Sequence, residues 1–233
     1  MSEQANFDPA DLTPAQRTAI LLTLTTVTML YAMTVTIANV ALPRMQGSLS
    51  ATQDQIAWVV TFNIVATAAA TPLAGWRPAR MGRRKLMLSA VVLFAFASLM
   101  CGTANSVEEL VFYRIIQGAS GAPLVPMSQA IVVDTYPKEK HGSATAFFGV
   151  GVMLGPIVAP TLGGYITEAY SWRWVFYLLL PFTLVSLLGV LAFIRDRNKP
   201  SKIALGWTGF LALAVAIASL QLMLARDVCN DWF

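Results

Sequence analysis

Arg114 is the one formal charge in the stretch LVFYRIIQGASGAPLVPMSQA, residues 110–130, with Gln117 three residues on and Gln129 near its end. A cation in so apolar a setting has two uses. It can snorkel to a water interface, or face inward and touch a water-filled cavity. At mid-bilayer it would cost about 2.5–3.5 kcal/mol. It stands five residues past Glu109, about 7–8 Å deeper by helical rise. Asn39, Asn63, Gln117 and Gln129 are further polar groups in apolar surroundings. Each is suited to an interhelical hydrogen bond or to a ligand contact.

A second cluster is GWRPARMGRRKL, residues 75–86, with Arg77, Arg80, Arg83, Arg84 and Lys85 and no acid among them. Such charge can bind nucleic acid, face an anionic membrane, or hold a loop on one side of a bilayer. Only Trp76 offers a stacking ring, and apolar runs clamp both sides, so nucleic acid is a poor partner.

In GVGVMLGPIVAPTLGGYI, residues 149–166, Gly151, Gly155, Ala159 and Gly163 recur every four residues and form one helical stripe. Small residues let helices approach closely in lipid, while Pro156 and Pro160 each remove a backbone donor and invite a kink. A tight packing face and a bendable hinge both fit. Threonines 23, 25, 26, 28, 34 and 36 crowd one segment and 61, 67 and 71 another. Their hydroxyls can return to the helix's own carbonyls, so they are weak evidence for a polar path. No Gly-x-Ser-x-Gly, Walker A or metal-spaced His/Cys cluster occurs, which leaves no enzyme signature, metal site or cofactor. The lone His141 lies in a basic loop and is expected to be solvated.

The elements that must carry these residues follow from hydropathy. The chain is 56% hydrophobic and 12% charged, with mean hydropathy +0.62. Stretches between ionisable residues cover 18–43, 55–76, 86–107, 115–133, 142–167, 174–194 and 203–225. Each approaches the roughly 20 apolar residues needed to cross a hydrocarbon core of about 30 Å. Seven candidate spans predict an all-α polytopic membrane protein. Short connections make successive helices antiparallel neighbours, and six of them could group as three plus three, without visible internal identity.

Twelve Lys and Arg flank one side of these spans and three (Arg44, Arg173, Arg226) the other. The imbalance predicts a cytoplasmic N-terminus and a cytoplasmic basic cluster. The polar, acid-containing first residues do not read as a cleavable signal. Cys101 within a span and Cys229 near the outer end suggest no disulfide. Capping boxes are expected at Thr13–Gln16, Ser50–Gln53 and Ser106–Glu109. The expected organisation is a tail over 1–14, a six-helix bundle over 15–194, and a loop with a seventh helix over 195–233.

Five ordered motifs resemble the major facilitator superfamily, in its fourteen-helix drug:proton antiporter branch typified by EmrB and QacA proteins. GWRPARMGRRKL is similar to the family's helix 2–3 loop motif, YRIIQGASGAPLVPMSQ to that of helix 4, and GVGVMLGPIVAPTLGGYI to the antiporter motif of helix 5. TIANVALP (36–43) and WRWVFYLLLP (172–181) look like branch motifs of helices 1 and 6. The final segment resembles the helix inserted between the two halves.

The resemblance implies a proton-coupled efflux pump of the bacterial inner membrane that exports hydrophobic, drug-like molecules. It also implies a periplasmic adaptor and an outer-membrane channel as partners. Arg114 would be the arginine linked to proton coupling. Gly151, Gly155, Pro156, Pro160, Gly163 and Gly164 would be the antiporter hinge. Gly75, Arg80, Gly82, Arg83 and Arg84 would form the cytoplasmic latch. Thr34, Asn39, Asn63, Gln117 and Gln129 are the cavity candidates.

Three positions depart from the family pattern: Ala79 replaces the loop acid, Thr34 the helix 1 acid, and Leu179 the helix 6 asparagine. Threonine exchanges no proton near neutral pH, so coupling would need acids supplied by another half. The chain stops after the seventh of fourteen expected helices, which implies an N-terminal half that does not transport alone. The rival expectation is a truncated, non-transporting membrane subunit that acts only in assembly or interaction.

Overall fold

The computed structural model describes residues 12–194 and 207–227. The expected tail lies outside this range up to residue 11, as do the loop over 195–206 and Cys229. All regular elements among the described residues are helical: α1 Pro14–Ser48, α2 Gln53–Ala70, α3 Leu73–Met81, α4 Arg83–Thr103, α5 Val107–Gly121, α6 Leu124–Thr135, α7 His141–Ala169, α8 Trp174–Tyr177, α9 Leu179–Phe193 and α10 Trp207–Asp227. A tight helical turn, Lys138–Lys140, precedes α7.

Among the described residues, four helices are each long and apolar enough to cross a membrane: Pro14–Ser48, Arg83–Thr103, Lys138–Ala169 and Trp174–Phe193, the last joining α8 and α9. The apolar stretches 55–76 and 115–133 are each divided in two. Pro72 and Pro123, both in helical φ/ψ, stand at the joints α2–α3 and α5–α6. A proline there cannot donate to the carbonyl four residues back, so the ladder restarts beyond it.

The basic stretch is not a loop. It is the end of α3 and the start of α4, reversed at Gly82 with φ 86° and ψ 152°, a conformation only glycine adopts readily. Thr13 and Gln16 form the expected capping box. The second box belongs to Thr52 and Gln55 instead of Ser50 and Gln53; Ser50 takes φ 50° in the turn. At α5, Ser106 accepts from the Glu109 N–H at 3.2 Å, but Glu109 reaches back to the N–H of Asn105 rather than Ser106. His141 opens α7 half-buried, its Nε2 2.8 Å from the Tyr136 carbonyl.

α1 runs through the middle of the bundle against α7, α9 and α6. Water drives no helix association inside lipid, so close van der Waals fit must do so. The α1–α7 seam shows how. Gly151 meets Thr25, Gly155 meets Met29, and Gly163 meets Ile37, two four-residue repeats in register. A methyl on Gly155 would lie 2.7 Å from the Met29 carbonyl oxygen. The opposite face of α7 leaves Val150, Met153, Ile157 and Tyr165 exposed, a surface suited to lipid rather than to water.

Two buried clusters fill the interior. One gathers Leu24, Met87, Phe94, Leu124 and Val190 toward the basic end. The other gathers Ile37, Met45, Val59, Leu110 and Phe176 toward the opposite end. At that second end Arg173 holds the finish of α4: its Nη1 donates to the Gly102 carbonyl at 2.9 Å and also to that of Ala104. A cation at helix-terminal carbonyls is favourable, and this guanidinium also lies over the Trp172 ring, 4.6 Å from its centroid.

Candidate functional site: a buried arginine network

Leu110, Arg114, Gln117, Gly118 and Gly121 are buried along one face of α5, a stripe at helical spacing. Arg114 therefore points into the bundle with no exposed surface, and snorkelling is ruled out. Its Nε donates to the Val59 carbonyl of α2 at 3.2 Å and its Nη1 to Gln117 Oε1 at 2.6 Å. Gln117 Nε2 donates onward to Ser98 Oγ of α4 at 2.6 Å. The Ser98 hydroxyl donates to the Phe94 carbonyl at 2.8 Å. The guanidinium carbon stands 5.9 Å from the Phe176 ring centroid in α8, within reach of its negative face.

Asn63 belongs to the same unit, because its Nδ2 donates to the Arg114 main-chain carbonyl at 2.8 Å. Beside it α2 and α5 touch: a methyl on Gly118 would collide with the Asn63 carbonyl oxygen. The Thr67 hydroxyl lies 2.9 Å from the Asn63 carbonyl and 3.1 Å from that of Gly118. Tyr31 OH of α1 donates to Thr67 Oγ1 at 3.1 Å. The guanidinium is thus held by groups of α2, α5 and α8, with Ser98 of α4 one hydrogen bond further on and Tyr31 of α1 tied to Thr67 of α2 beside it. No acid among the described residues pairs with it, and its Nη2 is buried without a partner among them. A guanidinium does not deprotonate in proteins. Such a group can bias charge or hold shape, but it cannot hand on a proton.

The other candidates fall elsewhere. Thr34 is buried and donates to its own helix, at the Leu30 carbonyl, 2.8 Å away; Thr23, Thr26 and Thr28 do the same to the carbonyl four residues back. Asn39 and Gln129 are exposed and take no part in the Arg114 network. Pro156 and Pro160 sit within α7, which continues through both. Gly164 has room to spare, since a methyl added there would stand 3.9 Å from Val40.

At the basic end, the latch arginines do find an acid. Arg83 forms an ion pair with Asp134 of α6, and Arg84 Nη2 donates to the Leu191 carbonyl of α9 at 2.9 Å. Ala79 therefore does not leave the cluster without a carboxylate. Gly75 and Arg80 are exposed. Ser98, Phe176 and Asp134 were not singled out by sequence. Asp134 alone had a signal, since it closes an apolar run at the same end as the basic cluster.

The Major Facilitator Superfamily profile matches residues 24–229. "Multidrug export protein EmrB" of Escherichia coli (strain K12) is 37% identical over 220 residues, which is 94% of this chain and 43% of that protein. "Fatty acid resistance protein FarB" of Neisseria gonorrhoeae is 36% identical over 199 residues, 85% of this chain and 39% of that protein. The chain spans less than half the length of these relatives. Among solved structures, a peptide transporter POT in complex with sulfate matches 92% of this chain and 47% of its own, with TM-score 0.70 and 17% identity. A D-xylose-proton symporter matches 92% of this chain and 54% of its own, with TM-score 0.68 and 18% identity. Helical architecture and profile agree: the chain belongs to the Major Facilitator Superfamily, as an integral membrane protein.

Proposed function

We propose that this chain supplies the N-terminal half of a proton-coupled multidrug efflux transporter of the inner membrane, working by alternating access. The reading is supported by similarity to export proteins across 94% of the chain and by one structural observation: the enclosed, acid-free Arg114 network. Arg114 keeps its proton and relays none. Its fixed charge favours the ionised form of any carboxylate brought near it, so the proton-exchanging acid comes from the other half. The basic cluster faces the cytoplasm in this reading, and residues 15–194 form the six-helix unit, followed by the seventh helix.

Asn63, Gln117 and Thr34 are committed to protein hydrogen bonds. Asn39 and Gln129 are the cavity candidates left free to meet a hydrophobic, drug-like substrate. The α7 seam against α1 would serve as the antiporter hinge and Arg83–Asp134 as the latch. A periplasmic adaptor and an outer-membrane channel would carry the exported molecule onward.

The test is drug accumulation in cells stripped of other pumps. The chain joined to a matching second half should lower accumulation, and the chain alone should not. If neither does so, the efflux reading fails. If the chain alone does so, the half-transporter reading fails.

A further inference from the structure

A cavity of about 380 Å³ opens where α1 and α7 end, lined by Arg44, Gly47, Ser48, Thr167, Tyr170 and Trp172 among others. That volume falls at the small end of ligand sites, about 300–1,000 Å³. Both signs of charge are present in it. Arg44 is exposed and makes no hydrogen bond or ion pair with the described residues. Two helix C-termini, each the negative end of a helix dipole, meet beside it. Tyr170 N–H closes on the Ile166 carbonyl at 3.0 Å, and no main-chain donor among the described residues closes on the Thr167 carbonyl beyond it. In α1 the Met45 and Gln46 carbonyls are taken by Leu49 and Ala51, leaving that of Gly47 open among the described residues. Ser48 Oγ accepts from Trp172 Nε1 at 2.7 Å and keeps its own proton to donate.

This combination suits neither a plain anion, which the helix ends repel, nor a plain cation, which Arg44 repels. It suits a small zwitterion. The exposed rings of Tyr165, Tyr170 and Trp174 surround this end of the bundle, and such rings gather at the level of lipid headgroups. We propose that the cavity binds the headgroup of an amine-bearing zwitterionic phospholipid, of which phosphatidylethanolamine is the type. Arg44 and the Ser48 hydroxyl take the phosphodiester. The ammonium is held by the open carbonyls of Gly47 and Thr167, against the Tyr170 ring.

The test titrates the detergent-purified chain with phosphatidylethanolamine or phosphatidylglycerol and counts bound lipid by native mass spectrometry. Phosphatidylethanolamine should bind more tightly by about fivefold to tenfold, the combined weight of dipole and ring. Arg44→Gln should weaken both lipids, because both carry the phosphodiester, whereas Gly47→Leu should erase the preference. A Cβ at Gly47 meets nothing within 4 Å, and Gly47 lines the cavity, so Gly47→Leu extends into it and should keep the unfolding temperature. Water-soluble glycerophosphoethanolamine should compete, and inorganic phosphate should not. Equal or tighter binding of phosphatidylglycerol overturns the proposal, as does a preference that survives Gly47→Leu or binding that Arg44→Gln leaves unchanged. Competition by inorganic phosphate would show a simple anion site and also overturn it.

Discussion

Arg83, the first residue of α4, is paired with Asp134, the last but one of α6, across a separation of 51 residues. The pair joins the turn at Gly82 to the end of α6. A carboxylate for the basic cluster is therefore drawn from another helix, although the basic stretch itself holds Ala79.

Both partners are about one-third exposed, so the ion pair adds little to stability. A double-mutant cycle with Arg83→Gln and Asp134→Asn should give a coupling of about 0.2–1 kcal/mol in chemical unfolding. The exchanged pair Arg83→Asp with Asp134→Arg should recover part of it. A coupling indistinguishable from zero would show that the pair contributes no stability.

Gly155 should resist substitution. Gly155→Ala forces a methyl toward the main-chain oxygen of Met29, which cannot swing aside, and should cost about 1–3 kcal/mol. Gly164→Ala, whose methyl meets only Val40 at ordinary contact distance, should be near neutral. Thermal unfolding in detergent reads the contrast, and equal losses would contradict the seam.

Arg114→Leu separates charge from shape. Removing a buried cation that has no acid relieves its desolvation, while Gln117 loses one donor. Unfolding stability should change by no more than about 1 kcal/mol. Drug efflux by the paired halves should fall by at least about tenfold if the charge is functional, about 1.4 kcal/mol in the barrier. Collapse of the fold with Arg114→Leu would instead make the residue a structural pin.

Gly82→Ala places a Cβ in a backbone region reserved for glycine and should cost about 1–3 kcal/mol. The loss should be seen as early proteolysis between Met81 and Arg83. Unchanged protease resistance would show that the α3–α4 reversal relaxes to another conformation.

Much of this was readable from residue order. Charge-free runs located α1, α4 and α7, because in lipid a helix must be both long and uncharged. The burial of Arg114 was readable too, since Leu110, Gln117, Gly118 and Gly121 share its face; counting depth from Glu109 along the chain hid this. The joints at Pro72 and Pro123 were masked by hydropathy, which does not register a missing N–H. Ser98, Phe176 and Asp134 could not be assigned to partners, because pairing across helices depends on rotation and crossing that no local pattern records. Ser50 misled for a related reason. It and Thr52 both look like caps with a glutamine three residues on, Gln53 and Gln55, and the turn that holds Ser50 at φ 50° leaves the cap to Thr52.

The Arg114 network also bears on how the chain is made. Val59 and Ser98, which receive this charge directly and through Gln117, precede it in the chain, and Gln117 follows by three residues. Synthesis runs from the N-terminus, so when α5 leaves the ribosome its acceptors have already been translated. Only the Phe176 ring arrives later. The most expensive side chain to insert thus reaches the membrane after the groups that receive it.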